Sequence, residues 1–373
     1  KFHMYPRRGE PPALHCSGRL FQEYIATRWA IKEQMQLNFI KTSSIIQGRH
    51  LRTHTCSAAR EAMARGVKPG DIGKERIMLP GTFAGGPRQM NSLYRDGMCI
   101  SLHHGRPTVF ITMTMNPRHP DVLASLLPGQ LPEDRPDVHC RVFKYLLEEF
   151  LTDLTQKHRL GELRAWMWTI EFQKRKIVHV HFLGIHRYTP KTPEDWNRIT
   201  CAEIPDPDAD PELHDLVIKF MIHTCSKDKG RCCARGQPCS KRFPKEYTEH
   251  TQAAPKEGYP HYRRREVGAG GRSHELERGK YKGTVVDNRF VVPYNAYLTK
   301  KFKCHVNVEI ATNIKVMKYI HKYIFKGAAR SMATIERPDG AQNDHATNEV
   351  KEILQAARDK TLTRAMYTAV REK

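Results

Sequence analysis

The chain contains 373 residues, of which 62 are Lys or Arg and 40 are Asp or Glu, so its formal net charge is 62 − 40 = +22. This length accommodates roughly two to three domains, and 39% hydrophobic with 27% charged residues is typical of globular proteins, not of disordered or collagen-like ones. No apolar run approaches the roughly 18 residues that a membrane-spanning helix needs, so no membrane partner is expected.

The positive charge is concentrated in one part of the chain. Residues 219–303 hold 20 Lys or Arg and 8 Asp or Glu, which is 20 − 8 = +12 of the total. Nucleic acid is the commonest partner of such a surplus, because each neutralised phosphate releases counterions. The same stretch contains Phe243, Tyr247, Tyr259, Tyr262 and Tyr281. Aromatic rings beside cations favour single-stranded bases; the alternative is a solvated basic face without a nucleic-acid partner.

The N-terminal part is predicted to be mostly helical. Apolar residues from Leu20 to Ile40 recur at helical spacing, and a second helical stretch covers about residues 55–64. Chain breakers crowd residues 66–86. We therefore expect a helical, DNA-binding N-terminal module over residues 1–105.

The middle of the chain changes to an alternating pattern. A β-branched run predicts a strand over 108–115, and Asp137 is expected to cap a helix that reaches about His158. Two further strands, 163–173 and 177–185, are joined by a short polar link and predict an antiparallel hairpin.

The later elements complete one domain over residues 106–330. The predicted elements are a helix at 213–223, a loop-dominated basic insertion with cysteines at about 224–282, strands at 284–292 and 305–310, and a helix at 314–325. A linker and a final helix from about Thr347 occupy residues 331–373. This order predicts an α+β fold with a central antiparallel sheet flanked by helices.

The hairpin carries the first candidate site. Residues two apart on a strand share a face, so His179 and His181 project together, and Glu171 or Gln173 on the partner strand can lie opposite them. Two imidazoles and a carboxylate suit a catalytic divalent ion. The alternative is a pair of histidines at the surface or in the core, with no metal.

The helix at 314–325 carries the second candidate site. Tyr319 and Tyr323 lie one turn apart, beside a basic stripe that consists of Lys318, Lys322 and Lys326. A tyrosine hydroxyl is a competent nucleophile toward a phosphodiester if cations lower its pKa. The alternative is a pair of tyrosines that pack or stack on an amphipathic helix.

The ten cysteines do not predict a secreted disulfide framework. A structural zinc site is predicted from Cys225, Cys233 and Cys239 with His223 or another histidine, and Cys232 is interchangeable with Cys233. The spacing is not C-x₂-C, and reduced cysteines in a basic loop are the alternative. A weaker zinc candidate consists of His50, His54 and Cys56.

Several sequence blocks together carry a family resemblance. They are Pro87-Arg-Gln-Met90, Phe110-Ile-Thr-Met-Thr-Met-Asn-Pro117, Arg135-Pro-Asp137, Glu171-Phe-Gln-Lys-Arg175, His179-Val-His181, Cys239-Ser-Lys-Arg-Phe-Pro-Lys245, Asp287-Asn288, Val292-Pro-Tyr-Asn295, His305-Val-Asn-Val-Glu309 and Lys318-Tyr-Ile-His-Lys-Tyr323. With these blocks the chain resembles the Rep region of Helitron transposases, which are rolling-circle DNA transposases of the HUH endonuclease superfamily. The resemblance covers about residues 5–330.

The resemblance implies roles for particular residues. His179 and His181 would be metal ligands for Mg²⁺ or Mn²⁺, with Glu171 as third ligand and Gln173 as the alternative. Tyr319 and Tyr323, assisted by Lys322, would attack single-stranded DNA at transposon ends and form a 5′-phosphotyrosine with a free 3′-hydroxyl. His305, Asn307 and Glu309 share a polar strand face just before the tyrosine helix, so they are expected to support the site from a neighbouring strand. Expected DNA contacts are Lys318, Lys326, Arg175, Lys241, Arg242, Arg263, Arg264 and Arg265.

The resemblance also implies a cellular context. Family members usually continue into a helicase, and this chain has no G-x-x-x-x-G-K-[ST] phosphate loop, so a helicase is expected elsewhere in the same full-length polypeptide. A nuclear location follows from the transposase reading. A rolling-circle replication initiator and a catalytically inactive nucleic-acid-binding module of the same fold stay open as alternatives.

Overall fold

The computed structural model describes residues 13–46, 79–83, 86–172, 177–225, 239–254, 258–277, 279 and 281–312. The helices in this part are α1 (Ala13–Cys16), α2 (Arg19–Ile46), α3 (Pro87–His104), α4 (Pro120–Ala124), α5 (Pro136–Thr155), α6 (Pro193–Ile199), α7 (Pro211–Phe220) and α8 (Ala296–Phe302). The strands are β1 (Val109–Thr114), β2 (Leu163–Phe172), β3 (Val178–His186), β4 (Ser273–Glu275), β5 (Val285–Asp287) and β6 (His305–Ile310).

Four strands form the central sheet. Their order among the described residues is β2-β3-β1-β6, and every neighbouring pair is antiparallel. β4 and β5 form a separate two-stranded ribbon. Together with the helices, this confirms the predicted α+β class and the predicted hairpin of β2 and β3.

The central sheet has an apolar face that holds the core. Ile111 on β1 lies opposite Phe182 on β3 and Val308 on β6, and all three side chains are fully buried. Helix α5 contributes Phe143 and Phe150 to the same core. Because side chains alternate along a strand, the residues between these apolar positions point to the opposite face of the sheet.

Helix α5 begins differently from the prediction. Its first residue is Pro136, which suits a first helical position because it has no N–H to leave unpaired. Asp137 therefore lies inside the first turn and does not cap the helix. Its carboxylate instead accepts two hydrogen bonds of 2.9 Å from the Arg135 guanidinium, and both side chains are buried.

Most long periodic elements agree with the sequence, and the short ones differ. Helix α2 and strands β1 and β6 are confirmed, whereas the strand expected over 284–292 is only β5 followed by a 3₁₀ turn at Asn288–Phe290. Helices α6 and α8 were not predicted. The helices expected at 55–64, at 314–325 and from Thr347 lie outside the described residues.

None of the described helices is long and apolar enough to cross a membrane.

Phe150 connects three elements and gives a test of the core. Its ring contacts Phe182 of β3 at 5.8 Å and Phe302 of α8 at 5.7 Å between centroids. Replacing Phe150 by Ala should lower the free energy of unfolding by about 3–5 kcal/mol, because it leaves a cavity between the sheet and two helices. Urea denaturation followed by circular dichroism measures the change.

Tyr145 on the same helix provides the control, since its side chain is 58% exposed. Tyr145→Ala should change the free energy of unfolding by less than about 1 kcal/mol. Equal losses in the two variants would contradict the assignment of Phe150 to the core.

Candidate metal centre

The register of the hairpin brings the predicted ligands together. Glu171 of β2 lies directly opposite His179 of β3, and His181 is the next residue of β3 on the same face. The Glu171 side chain is 25% exposed, whereas His179 and His181 are 3% and 7% exposed. The cluster is therefore buried on the histidine side and open to solvent on the carboxylate side.

Three ligand atoms converge in this cluster. Nε2 of His179 lies 3.1 Å from Oε2 of Glu171, Nε2 of His181 lies 3.0 Å from the same oxygen, and the two nitrogens are 2.9 Å apart. The imidazole planes are nearly perpendicular, at 86°. One carboxylate oxygen and two imidazole nitrogens thus point at a common position.

Strand β1 orients one of these imidazoles. Thr112 lies opposite His181, and its Oγ1 is 3.0 Å from the ring's Nδ1. Phe110 stacks on the same ring at 5.7 Å. In the metal-bound form, Nδ1–H would donate to Thr112 and Nε2 would direct its lone pair at the ion.

The electrostatics favour the protonation states that bind a cation. Hydrogen bonds from His179 and His181 hold the pKa of Glu171 well below its usual range, so its carboxylate is ionised at neutral pH. Burial lowers the pKa of His181 despite the opposing effect of Glu171, so its ring is neutral. An ionised carboxylate and neutral imidazoles are the forms that ligate metal ions.

The donor set fits a divalent cation. Nitrogen and oxygen donors from a buried pair of histidines and a half-buried carboxylate match the ligands of catalytic transition-metal sites, and Mn²⁺ accepts this set. Nδ1 of His179 is buried without a hydrogen-bond partner among the described residues, so Nε2 is the ring atom that the site uses. Gln173, the alternative third ligand, lies outside the described residues.

Strand β6 carries the predicted supporting residues on the same face. His305 lies opposite Thr114 and Asn307 opposite Thr112, so β1 separates both from the histidines of β3. Burial, together with smaller effects of His179 and His223, lowers the pKa of His305 to about 4. His305 is thus within electrostatic reach of both histidine clusters.

Glu309, the third of these residues, belongs to a buried polar network. Its Oε2 accepts a hydrogen bond of 2.9 Å from the Tyr262 hydroxyl, which in turn accepts one of 2.8 Å from the backbone N–H of Ile310. Burial raises the pKa of Glu309 to about 7. Tyr262 is 5% exposed, so its ring is not available to stack on a base as the sequence suggested.

The three consecutive arginines have distinct environments. Arg264 is 4% exposed and donates to the carbonyl oxygens of Ala202, Asn288 and Val291, which makes its observed role structural. Arg263 and Arg265 both pair with Glu203, at 3.0 and 2.7 Å. The expectation that Arg264 contacts DNA does not fit this burial, whereas Arg263 and Arg265 keep partly exposed guanidinium groups.

A second cluster lies in the cysteine-containing region. His223, Cys225 and Cys239 place one ligand atom each within 4.8 Å of one another. Burial, with smaller effects of Lys241 and Lys245, lowers the pKa of His223. Lys241 and Arg242 are exposed beside this cluster. Cys232, Cys233 and the weaker candidate of His50, His54 and Cys56 lie outside the described residues.

The predicted nucleophiles, Tyr319 and Tyr323, are not among the described residues. The basic stripe of Lys318, Lys322 and Lys326 and the predicted DNA contact Arg175 also lie outside them. Their roles stay predictions from the sequence.

Thr112 and Phe110 were missed by sequence reasoning. In Val-Phe-Ile-Thr-Met-Thr, residues 109–114, the alternation already places Phe110, Thr112 and Thr114 on one face. What the sequence did not reveal is that β1 pairs with β3 and sets that face beside the histidines.

Removing the Thr112 hydroxyl should weaken metal binding. Thr112→Val keeps the shape of the side chain but frees the His181 ring to rotate, so the affinity for Mn²⁺ should fall about 10-fold, as outer-shell changes typically do. Isothermal titration with Mn²⁺ measures this. Thr114→Val, on the same face of the same strand, serves as control, and an equal loss there would contradict the orienting role.

Glu309 should make stability depend on pH. Its folded-state pKa of about 7 lies above the ordinary 4.5, so the folded protein holds the proton more tightly, and its contribution to stability falls as pH rises from about 4.5 to about 7. Glu309→Gln stays neutral. Relative to the parent protein it should gain about 2 kcal/mol of unfolding free energy between pH 5 and pH 8.

Urea unfolding of both proteins at these two pH values measures the difference, in which other titrating groups cancel. A difference that is the same at both pH values would contradict the raised pKa.

A family model matches just under half of the chain, at its N-terminal end. It is described as the Helitron helicase-like domain at the N-terminus, and it covers residues 1–184, which include β1, β2 and the part of β3 that bears both histidines. No curated protein matches the chain. The match indicates an association with nucleic acid. Residues 1–184 of this chain are thus similar to the N-terminal domain of Helitron-related proteins.

Proposed function

We propose that this chain is a metal-dependent nuclease that nicks and rejoins single-stranded DNA in rolling-circle, Helitron-type transposition. The observation that carries the proposal is the convergence of Glu171, His179 and His181 on one position. The Helitron-related N-terminal domain and the net charge of +22 support a DNA substrate.

The residues of the sheet would bind the metal ion and orient its ligands. Glu171 and the two histidines would hold Mg²⁺ or Mn²⁺, while Thr112 would keep the His181 ring in place. A divalent cation supplies charge stabilisation on a non-bridging phosphate oxygen of the scissile linkage. The partly exposed carboxylate side is the side from which a DNA strand can approach.

Tyrosine would supply the nucleophile. The phenol oxygen of Tyr319 or Tyr323 would form a bond to phosphorus as the bond from phosphorus to the 3′-oxygen breaks, and the 3′-oxygen would take up the proton that the phenol loses. Lys322, between the two tyrosines in the sequence, would favour the phenolate. The resulting 5′-phosphotyrosine conserves the bond energy, so the second tyrosine can take part in rejoining without hydrolysis.

The covalent intermediate is the decisive prediction. Incubation with single-stranded DNA that carries a transposon end, plus Mg²⁺ or Mn²⁺, should yield a protein–DNA adduct that survives denaturing gel electrophoresis. His179→Ala with His181→Ala should reduce adduct formation by on the order of 100-fold or more, because the metal is lost. Tyr319→Phe with Tyr323→Phe should abolish the adduct, because no phenol oxygen remains.

Matched controls separate chemistry from folding. Tyr145 and His103 are exposed and lie outside both sites, so Tyr145→Phe and His103→Ala should leave the adduct yield unchanged. Salt-sensitive DNA binding without any adduct in the parent protein would contradict the proposal and favour an inactive nucleic-acid-binding module. An adduct that persists in the double tyrosine variant would refute the assigned nucleophiles.

A further inference from the structure

Two segments form the cluster of His223, Cys225 and Cys239, and the backbone of each is hydrogen-bonded to residues 289–291. After α7, Ile222 forms a bridge with Val291, and the N–H of His223 donates to the carbonyl oxygen of Phe290 at 2.8 Å. Backbone pairing therefore fixes the position of His223 and the start of the chain toward Cys225.

The second segment, residues 239–245, is hydrogen-bonded to the same stretch, residues 289–291. The N–H of Arg242 donates to the carbonyl oxygen of Cys239 at 2.7 Å, which closes a tight turn, and the N–H of Lys245 donates to that of Arg289 at 3.0 Å. Phe243 stacks on the His223 ring at 4.3 Å with an interplanar angle of 22°. These contacts hold Cys239 against the imidazole.

The distances between the ligand atoms suit a tetrahedral ion. Nε2 of His223 lies 3.4 Å from Sγ of Cys239, and all three ligand atoms lie within 4.8 Å of one another. With Zn–S near 2.3 Å and Zn–N near 2.0–2.1 Å, the edge of a tetrahedron between S and N is about 3.6 Å. Only small side-chain adjustments would bring the three atoms onto one zinc ion.

We propose that His223, Cys225 and Cys239 bind a structural zinc ion. Two thiolates and an imidazole form a soft donor set, whereas Glu171, His179 and His181 offer one oxygen and two nitrogens. The two clusters should therefore select different metals. Cys232 and Cys233 lie outside the described residues, and the assignment does not depend on them.

The zinc ion would fix a basic turn. Lys241 and Arg242 follow Cys239 directly and are exposed, so a metal bond at Cys239 holds these two cations in a defined position on the surface. This consequence for DNA binding rests on the proposed function, but zinc binding itself does not.

Cobalt substitution tests the site independently of nuclease activity. The full chain is expressed with supplemental zinc, and its zinc content is measured by mass spectrometry; it is then unloaded with chelator under reducing conditions and reloaded with Co²⁺. We expect about one tightly held zinc per chain and, after reloading, thiolate-to-cobalt charge-transfer absorption. The same absorption in the His179→Ala, His181→Ala variant would show that it comes from the cysteine cluster even if the nuclease proposal fails.

Variants of the cluster complete the test. Cys225→Ser should remove the bound zinc and reduce the charge-transfer absorption by half or more, whereas Cys225→His should retain zinc, since imidazole is also a zinc ligand. Cys99→Ser, at an exposed and isolated cysteine, should match the parent protein in both measurements. Zinc content below one tenth per chain, or charge-transfer absorption as strong in Cys225→Ser as in the parent protein, would overturn the proposal.

Discussion

The pairing of β2 with β3 is the constraint on which the site depends. Because Glu171 lies directly opposite His179, the carboxylate and both imidazoles lie on one face of the sheet. A slip by one residue would turn every side chain of β3 to the other face and remove His179 and His181 from Glu171. The apolar face prevents that slip, because Val180 and Phe182 are fully buried in the core and would have to exchange places with histidines. Core packing and ligand geometry therefore select the same register.

The polar face of the sheet concentrates groups that are costly to bury singly. Strand β1 lies between the histidines of β3 and the polar residues of β6, and its Thr112 is a hydrogen-bond partner of His181. Desolvation disfavours a charge on the His181 imidazole, while the carboxylate of Glu171 stays ionised beside it. A bound cation would neutralise that carboxylate and satisfy both ring nitrogens. The register that buries the core also presents three donor atoms to a cation, which connects the packing of the fold to its proposed chemistry.

Much of this could be predicted from the sequence, for physical reasons. Strong periodicity identified α2, α5 and the central strands, and the two-residue spacing of the histidines placed them on one face. Short elements such as α8 carry too few residues for a periodic signal. Contacts between strands distant in sequence, such as Thr112 with His181, depend on the pairing order, which local patterns do not contain. The same limit explains Arg264, whose charge suggested DNA and whose surroundings are buried carbonyl groups.

The location of a divalent ion is the most direct test of the account. Crystals of the full chain soaked with Mn²⁺ can be measured at a wavelength where manganese scatters anomalously. We expect a peak at about 2.2 Å from Nε2 of His179, Nε2 of His181 and a carboxylate oxygen of Glu171. Manganese bound elsewhere, with the three side chains still in mutual contact and no peak between them, would contradict it.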